Sequence, residues 1–325
     1  MPFLITTLSL LGLLFIAAAV TLCVCFFKIF YSPRKKETDE YPTPPGKEYD
    51  PYREKMVEWI KEIRKLPHTD VEIKSHDGLT LRGKYYEKEV GAPIEILFHG
   101  YKGTSERDLC GGVERCFNLG HNALIVDHRA SGRSEGHVIT FGAKESLDCL
   151  KWVEFVINNI NGNAKIILTG ISMGAATVMI ASSMKLPENV VGILADCGYT
   201  STEAIIKKVL RDMKLPPNIL YPFARLSARI FGGFDPNALS PISSMKKCSL
   251  PIIFFHGDED GFVPLCMSEE NYTACVSKTK RLVIVKGADH GLAFPKDQEY
   301  YCKEAISFFR PITNPESIAS EKQGF

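Results

Sequence analysis

The sequence predicts an α/β fold with a mostly parallel sheet of eight strands and helices on both faces. From residue 94 onward, short apolar runs alternate with helical patterns. Such alternation is typical of parallel strands that helices cover on both sides. Before it, His76-Asp77-Gly78 separates two strand-like runs. An Asp-Gly pair in that position indicates a hairpin. We therefore expect one antiparallel hairpin followed by a parallel sheet.

The apolar runs set the expected elements. The expected strands are Val71–Ser75, Thr80–Tyr86, Ile94–Phe98, Ala123–Val126, Lys165–Thr169, Val190–Ala195, Pro251–Phe255 and Arg281–Val285. The expected helices of the domain are Met56–Leu66, Glu106–Leu119, Ala143–Asn159, Met173–Lys185, Ser268–Val276 and Pro295–Phe309. With 325 residues, the chain is long enough for one large core and one additional apolar span.

The pattern G-x-S-x-G lies at 170–174, between an apolar strand pattern and a helix start of small residues. In a nucleophile elbow, a strained serine at a strand-to-helix turn projects its hydroxyl above the sheet. Glycine is needed two residues before and two after it, because larger side chains would collide with the strand or the helix. The helix N-terminus behind the serine favours negative charge. Ser172 is therefore the candidate nucleophile.

A second G-x-S-x-G lies at 132–136 and makes Ser134 an alternative. It is followed by His137-Val138-Ile139, with no small-residue helix start. Its charged, glycine-rich composition is typical of a loop. We expect Ser172, and not Ser134, to be the nucleophile.

A serine nucleophile needs a base, and the base needs a group that orients it. Asp258, Glu259 and Asp260 follow the strand that precedes Gly257, and His290 follows the last strand. His290 is the one histidine that lies late in the chain and directly after a strand. We expect buried structural roles for His99 and His256, and surface or loop positions for the remaining histidines: His68, His76, His121, His128 and His137.

Over roughly residues 70–310, the chain resembles the α/β-hydrolase superfamily, in particular its serine esterase, lipase and aminopeptidase-like members. The resemblance rests on five motifs in order: His99-Gly100-Tyr101, Asp127-His128-Arg129 with the loop to Gly136, the elbow Gly170–Gly174, His256-Gly257-x-x-Asp260-x-x-Val263-Pro264, and Asp289-His290. The chain order of serine, acid and histidine also matches these enzymes. The resemblance implies the α/β-hydrolase fold and a serine hydrolase that uses no cofactor and no metal.

The resemblance also implies roles for individual residues. The acid-loop spacing falls on Asp260, which leaves Asp258 as a solvated or turn-forming alternative. The predicted triad is therefore Ser172, Asp260 and His290. The backbone N–H groups of Tyr101 and Met173 are expected to form the oxyanion hole. About 55 residues separate Asp196 from Pro251. They resemble a helical cap at about 200–245, although they can also simply close the core.

The N-terminus carries no charged residue from Phe3 to Phe27. As a helix, this stretch is about 37 Å long, enough to cross a hydrocarbon core of about 30 Å. A cleaved signal peptide is the alternative, but the stretch is longer than a typical signal-peptide core and no basic region precedes it. Lys28, Arg34, Lys35 and Lys36 follow it. The positive-inside rule then predicts a single-pass protein with a cytoplasmic domain; an extracellular or secreted domain is the alternative.

These expectations divide the chain into an anchor at 1–30, an extended tether at 31–50, a hydrolase domain at 51–315 and a tail at 316–325. Ten cysteines without a C-x-x-C pair argue against zinc or thioredoxin-type chemistry and suit a reducing compartment. A formal net charge of +1 gives no electrostatic footprint for nucleic acid. The expected partners are a small-molecule acyl substrate, with lipid-like compounds included, and the membrane. A serine peptidase and a catalytically silent binding module remain the alternatives.

Overall fold

Within residues 2–33 and 39–314, which the computed structural model describes, eight strands form one sheet in the order β1-β2-β4-β3-β5-β6-β7-β8. The strands are β1 (Thr69–Lys74), β2 (Thr80–Tyr86), β3 (Ile94–Phe98), β4 (Asn122–Val126), β5 (Ile166–Ile171), β6 (Val190–Asp196), β7 (Ile252–Gly257) and β8 (Lys280–Val285). β1 and β2 form the expected antiparallel hairpin, and β2 also pairs antiparallel with β4. The pairs from β3 to β8 are parallel. The predicted fold class is confirmed.

Helices flank the sheet on both faces. They are α1 (Pro2–Cys25), α2 (Arg53–Lys65), α3 (Ser105–Asn118), α4 (Glu145–Phe155), α5 (Met173–Ala181), α6 (Thr202–Asp212), α7 (Pro217–Gly232), α8 (Pro241–Met245), α9 (Leu265–Ala274), α10 (Ala293–Lys296) and α11 (Gln298–Thr313). Where the sequence predicts one helix at Pro295–Phe309, the chain forms α10 and α11. The break falls at Asp297, whose side chain caps α11 by accepting a hydrogen bond from the Tyr300 N–H.

Two apolar cores lie on opposite faces of the sheet because neighbouring strand residues point to opposite sides. On β6, Leu194 packs into the core that α2, α3 and α11 cover. Its neighbour Ile193 packs into the core that α4, α5 and α9 cover. Both residues are almost fully buried. The sheet is thus covered on both sides, and its carboxyl edge is left for the loops.

The N-terminal helix is long and apolar enough to cross a membrane, judged by length and composition over Phe3–Phe30. Its last turn, a π-helical segment at Phe26–Phe30, does not stand free of the domain. Phe30 is fully buried, with ring centroids 5.7 Å from Phe141 and 5.5 Å from Phe234. The Phe30 carbonyl also accepts a 2.8 Å hydrogen bond from the Ile139 N–H. The end of the apolar span is therefore part of the folded domain.

Part of the segment expected to be a tether packs against the domain. The Tyr41 ring lies beneath Lys61 and Arg64 of α2. A 3₁₀ helix spans Lys47–Tyr52, and its Tyr49 hydroxyl donates a 2.9 Å hydrogen bond to the His290 carbonyl. The predicted boundaries at 30, 50 and 315 stay predictions. Of the basic residues behind the orientation prediction, Arg34, Lys35 and Lys36 lie outside the described residues, as does the tail 316–325.

Candidate active site

The turn between β5 and α5 has the geometry that the nucleophile elbow requires. Ser172 has φ 55° and ψ −113°, a conformation that side-chain-bearing residues rarely adopt. A Cβ on Gly170 would lie 2.2 Å from the Gly174 carbonyl, and a Cβ on Gly174 would lie 2.0 Å from the Phe98 carbonyl oxygen. Both contacts are too short for a carbon atom, so glycine is required at both positions. The motif therefore holds Ser172 against the end of β3.

Three residues from three separate loops meet at this turn. The Nε2 of His290 lies 2.9 Å from the Ser172 Oγ, and its Nδ1 lies 2.8 Å from the Asp260 Oδ2. An ionised Asp260 can only accept a hydrogen bond, so Nδ1 carries the proton and Nε2 is left to accept the Ser172 hydroxyl proton. This is the donor and acceptor order of an acid–histidine–serine triad.

Backbone and side-chain donors hold the Asp260 carboxylate in place. Its Oδ1 accepts hydrogen bonds from the N–H groups of Phe262, at 2.9 Å, and Val263, at 2.7 Å. Burial by itself raises the pKa of this carboxyl, but hydrogen bonds from His256 and His290 outweigh it and hold the pKa well below its usual range. Asp260 is therefore ionised at neutral pH and can orient and stabilise the imidazole.

The two histidines expected to be structural have structural contacts. The Nδ1 of His256 lies 2.6 Å from the Ser268 Oγ, and its Nε2 lies 2.8 Å from the Val263 carbonyl oxygen. The Nε2 of His99 accepts a 3.0 Å hydrogen bond from the His128 N–H. His121 and His128, expected to be surface or loop residues, do lie in loops, but both are buried, at 3% exposed. His121 turns inward because its Nδ1 lies 2.8 Å from the buried Glu95 carboxylate.

The alternatives to Ser172 and Asp260 lie elsewhere. The Ser134 hydroxyl donates a 2.7 Å hydrogen bond to the Asp127 carbonyl and accepts one of 2.8 Å from the Arg82 N–H. These contacts hold the glycine-rich loop against β2. Asp258 accepts a 2.6 Å hydrogen bond from the Gly287 N–H at an exposed turn. Both residues therefore have structural roles in their loops.

The two predicted oxyanion residues lie beside the nucleophile. Met173 is the first residue of α5, so its N–H has no partner within the helix. Tyr101 follows Gly100, where an added Cβ would lie 3.7 Å from the Ser172 Cβ. The loop after β3 therefore passes directly next to the elbow. Whether the two N–H groups bind an oxyanion stays a prediction.

A cavity of about 410 Å³ reaches the Ser172 and His290 side chains. Apolar groups make up much of its wall, including Trp59, Leu97 and Phe294. Its lining also contains Tyr49, Tyr101, Asp196, Phe262 and Tyr301. A cavity of this size and composition can enclose much of a small, largely apolar molecule.

Asp196 and Tyr49 are among the cavity residues that the sequence reasoning missed. The Asp196 Oδ2 accepts a 2.9 Å hydrogen bond from the Tyr301 hydroxyl, while its Oδ1 has no partner among the described residues. Burial raises the pKa of this carboxyl to about 6. Its position at the carboxyl end of β6 could have indicated it, because sites in parallel sheets form at that edge. For Tyr49, no signal in the sequence indicated a site residue.

The family model for the alpha/beta hydrolase fold matches residues 96–239. Protein YqkD of Bacillus subtilis (strain 168) is 28% identical over 192 residues, which are 59% of this chain and 63% of that protein. Protein YfhR of Escherichia coli (strain K12) is 21% identical over 76% of this chain and 82% of that protein. This chain thus spans less than two thirds of the YqkD length.

Solved structures give the same fold. An esterase of Pyrococcus furiosus, Pf2001, is 22% identical and superposes with a TM-score of 0.66, over 86% of this chain and all of that one. Est1E of Butyrivibrio proteoclasticus, solved with bound ferulic acid, is 21% identical with a TM-score of 0.53, over 74% of this chain and 97% of that one. Together with the sheet order and the elbow, these similarities show that the chain has the α/β-hydrolase fold.

Proposed function

We propose that this protein is a serine hydrolase that cleaves a carboxylic ester, a thioester or an amide through an acyl-enzyme. The hydrogen-bonded line from Asp260 through His290 to Ser172, at the wall of an apolar cavity, carries the proposal. A binding module would not need such a line, nor a serine at positive φ. Strained backbone of this kind costs about 1–3 kcal/mol and is concentrated at functional sites.

The proposed mechanism assigns one task to each group. The Ser172 oxygen attacks the substrate carbonyl carbon while His290 Nε2 takes the hydroxyl proton. Asp260 holds the imidazole tautomer and stabilises the imidazolium. The N–H groups of Tyr101 and Met173 bind the oxyanion. The imidazolium then protonates the leaving alcohol, thiol or amine, and water, deprotonated by His290, attacks the acyl-enzyme to release the acid and free Ser172.

Esters and thioesters are favoured over peptides as substrates. Among similar proteins, Pf2001 is named an esterase, and aneE of Aspergillus aculeatus, 32% identical over 76 residues, is named a thiohydrolase. These names support the ester and thioester preference by similarity of fold. The apolar cavity wall supports an acyl substrate independently. A peptidase of the same fold is the second candidate.

Composition and the apolar span support the remaining parts of the proposal. α1 anchors the protein in a membrane as a single pass, and the hydrolase domain lies on the cytoplasmic side, with an extracellular or secreted domain as the alternative. The near-neutral net charge of the chain supports the absence of nucleic-acid partners. The triad chemistry itself requires neither a cofactor nor a metal.

Labelling with a fluorophosphonate probe tests the proposal. Wild-type protein in detergent should be labelled at one site and should hydrolyse p-nitrophenyl esters faster than aminoacyl p-nitroanilides. Ser172→Ala should abolish both labelling and turnover, because triad members act as a unit. Ser134→Ala, the matched control in the second G-x-S-x-G, should still be labelled. Persistent labelling of Ser172→Ala would refute the assignment, and a wild-type protein without labelling or turnover would favour the binding module.

A further inference from the structure

Helix α7 exposes large apolar side chains on the face that points away from the domain. Ile219, Leu226 and Ile230 are 63%, 44% and 57% exposed. Spacings of seven and four residues place them on one face of the helix. We call these three residues the outer stripe. The opposite face is buried against the domain through Tyr221, Ala224 and Ala228.

A helix that is apolar on two faces needs a cover for both. The domain covers one face, and Phe231, 46% exposed, adds a further apolar side chain at the C-terminal end of the helix. Scattered surface leucines need no explanation, but an apolar stripe along a whole helix indicates a contact surface.

The apolar N-terminal span indicates what covers the outer stripe. α1 packs against α7, and the ring centroids of Phe26 and Phe231 are 5.4 Å apart. Just before this contact, Val24 is 52% exposed, and just after it Phe27 is 57% exposed. The axes of packed helices lie about 10 Å apart. If α1 crosses a bilayer, α7 therefore lies within about that distance of the point where the chain leaves the bilayer. Helices at a membrane interface bury their apolar faces about 5–10 Å into the boundary between lipid headgroups and acyl chains.

We propose that α7 lies in the membrane interface with the outer stripe in contact with lipid. Basic residues at the turn from α6 to α7 fit this placement, since Arg211 and Lys214 are exposed there and can meet anionic headgroups. Arg225 and Arg229 lie on the flank of α7 between its two apolar faces and pair with Asp235. The helix thus has charged residues beside the stripe and none within it.

This placement brings the bilayer close to the cavity. The Tyr101 hydroxyl, on a residue of the cavity wall, donates a hydrogen bond to the Ile29 carbonyl at the end of the apolar span. On the α6 side, Lys208 donates to the Gly261 carbonyl and lies over the Phe262 ring, which also lines the cavity. Resting on the proposed hydrolase function, the inference therefore extends to the substrate: an ester or thioester dissolved in the membrane, which reaches Ser172 from the lipid side.

Tryptophan quenching by brominated lipids tests the placement on the full chain. Ile230→Trp reports on the stripe, Leu11→Trp on α1, and Val90→Trp, at an exposed apolar position of a distant turn, is the control. The native Trp59 and Trp152 are buried and give a constant background. In vesicles of dibrominated phosphatidylcholine with phosphatidylglycerol, the emission maximum of Ile230→Trp should shift to the blue. The emission that the new tryptophan adds to the background should fall by about half or more. Val90→Trp should stay unquenched.

Three results would overturn the placement. If Leu11→Trp is quenched and Ile230→Trp is not, the anchor is inserted but the stripe faces water. If Ile230→Trp shifts to the blue without quenching, a protein surface such as a second copy covers the stripe. If neither variant is quenched, the anchor and the stripe both fail. These readouts do not depend on turnover, so they stand apart from the hydrolase proposal.

Kinetics test the substrate route separately. The double variant Ile219→Glu/Ile230→Glu should lower the hydrolysis of a long-chain ester in vesicles about tenfold, while a water-soluble short-chain ester should change less than about twofold. Exposed substitutions of this kind seldom disturb folding. Val90→Glu is the matched control and should change neither rate. Equal loss on both esters would contradict delivery from the lipid, and no turnover of the soluble ester by any protein would instead refute the hydrolase.

Discussion

The hydroxyl of Tyr101 donates a 2.6 Å hydrogen bond to the backbone carbonyl of Ile29, 72 residues earlier in the chain. Next to it, the Lys102 ammonium donates a 3.0 Å hydrogen bond to the Lys28 carbonyl. The loop proposed to supply an oxyanion donor is therefore fastened to the end of the apolar N-terminal span. The position of that span and the geometry beside Ser172 are physically linked.

Removing the Tyr101 hydroxyl should lower activity without unfolding the protein. Tyr101→Phe keeps the backbone N–H but loses the bond to Ile29, worth about 1 kcal/mol. We expect kcat for a short-chain ester to fall up to about fivefold, with little change in KM. Tyr300→Phe, on an exposed tyrosine, is the control. A kcat that stays at the wild-type value would show that the link does not position the loop.

Asparagine substitutions in the acid loop should have very different effects. Asp260→Asn should lower kcat on the order of 10⁴-fold, because an amide at this position leaves the imidazole in the wrong tautomer. Its carbonyl oxygen can still accept from the Phe262 and Val263 N–H groups, so the fold should survive. Asp258→Asn at the exposed turn should change kcat less than about threefold. Steady-state kinetics measure the effect of each substitution, with circular dichroism as a check on folding. A larger loss of kcat for Asp258→Asn than for Asp260→Asn would assign the role of the acid to Asp258.

Asp196 should make stability depend on pH. Its folded pKa of about 6 lies above the unfolded value of about 3.9. The native state therefore binds more protons between these values, and its stability falls as pH rises from about 4 to 6. The size of this loss is about 2–3 kcal/mol.

Asp196→Asn should remove this pH dependence, since an amide does not titrate and still accepts from the Tyr301 hydroxyl. Urea unfolding in detergent, compared at pH 4.5 and 7.5, gives the test. The variant should gain stability over wild type at the higher pH and little at the lower one. A difference between the two proteins that is the same at both pH values would contradict the shifted pKa.

Two N-terminal deletions should behave differently. Judged from sequence, a chain that starts near Tyr49 should be soluble and active, because every predicted triad residue lies beyond it. The structure changes this expectation, because that deletion removes Phe30 from its buried contacts with Phe141 and Phe234. Deleting 2–24 should preserve these contacts and give a more stable soluble protein. Within the 2–24 deletion, Phe30→Ala should lower the free energy of unfolding by about 3–5 kcal/mol. Equal melting temperatures for the two deletion variants would show that the Phe30 contacts do not stabilise the domain.

The anchor itself can be tested in cells. The full-length protein should pellet with membranes and resist carbonate extraction, because Phe3–Phe27 is uncharged and long enough to span the bilayer. Protease added outside intact cells should leave the domain uncut. Cleavage from outside would reverse the orientation, and a mature N-terminus near Ala19 would show that the span is a cleaved signal.

Local patterns determined the fold class. Each of the eight expected strands has a counterpart in the sheet, because runs such as Ile94–Phe98 are apolar, short and bounded by turn residues. The elbow followed from two glycines whose Cβ atoms would collide with neighbouring backbone. Such constraints act within a few residues, so they can be read along the chain.

Only the tertiary structure decided which distant residues meet. Tyr49 contacts the His290 carbonyl across 241 residues, and Phe30 fills a space between Phe141 and Phe234. Asp196 became a buried wall residue only because β6 ends beside the cavity. Contacts across the sheet edge depend on how helices and loops pack. The residues that make such contacts do not recur at regular spacings in the sequence, so no sequence pattern predicts them. The sequence thus determined the strands, most of the helices and the candidate triad, while packing decided how the N-terminal span, α7 and the cavity are joined.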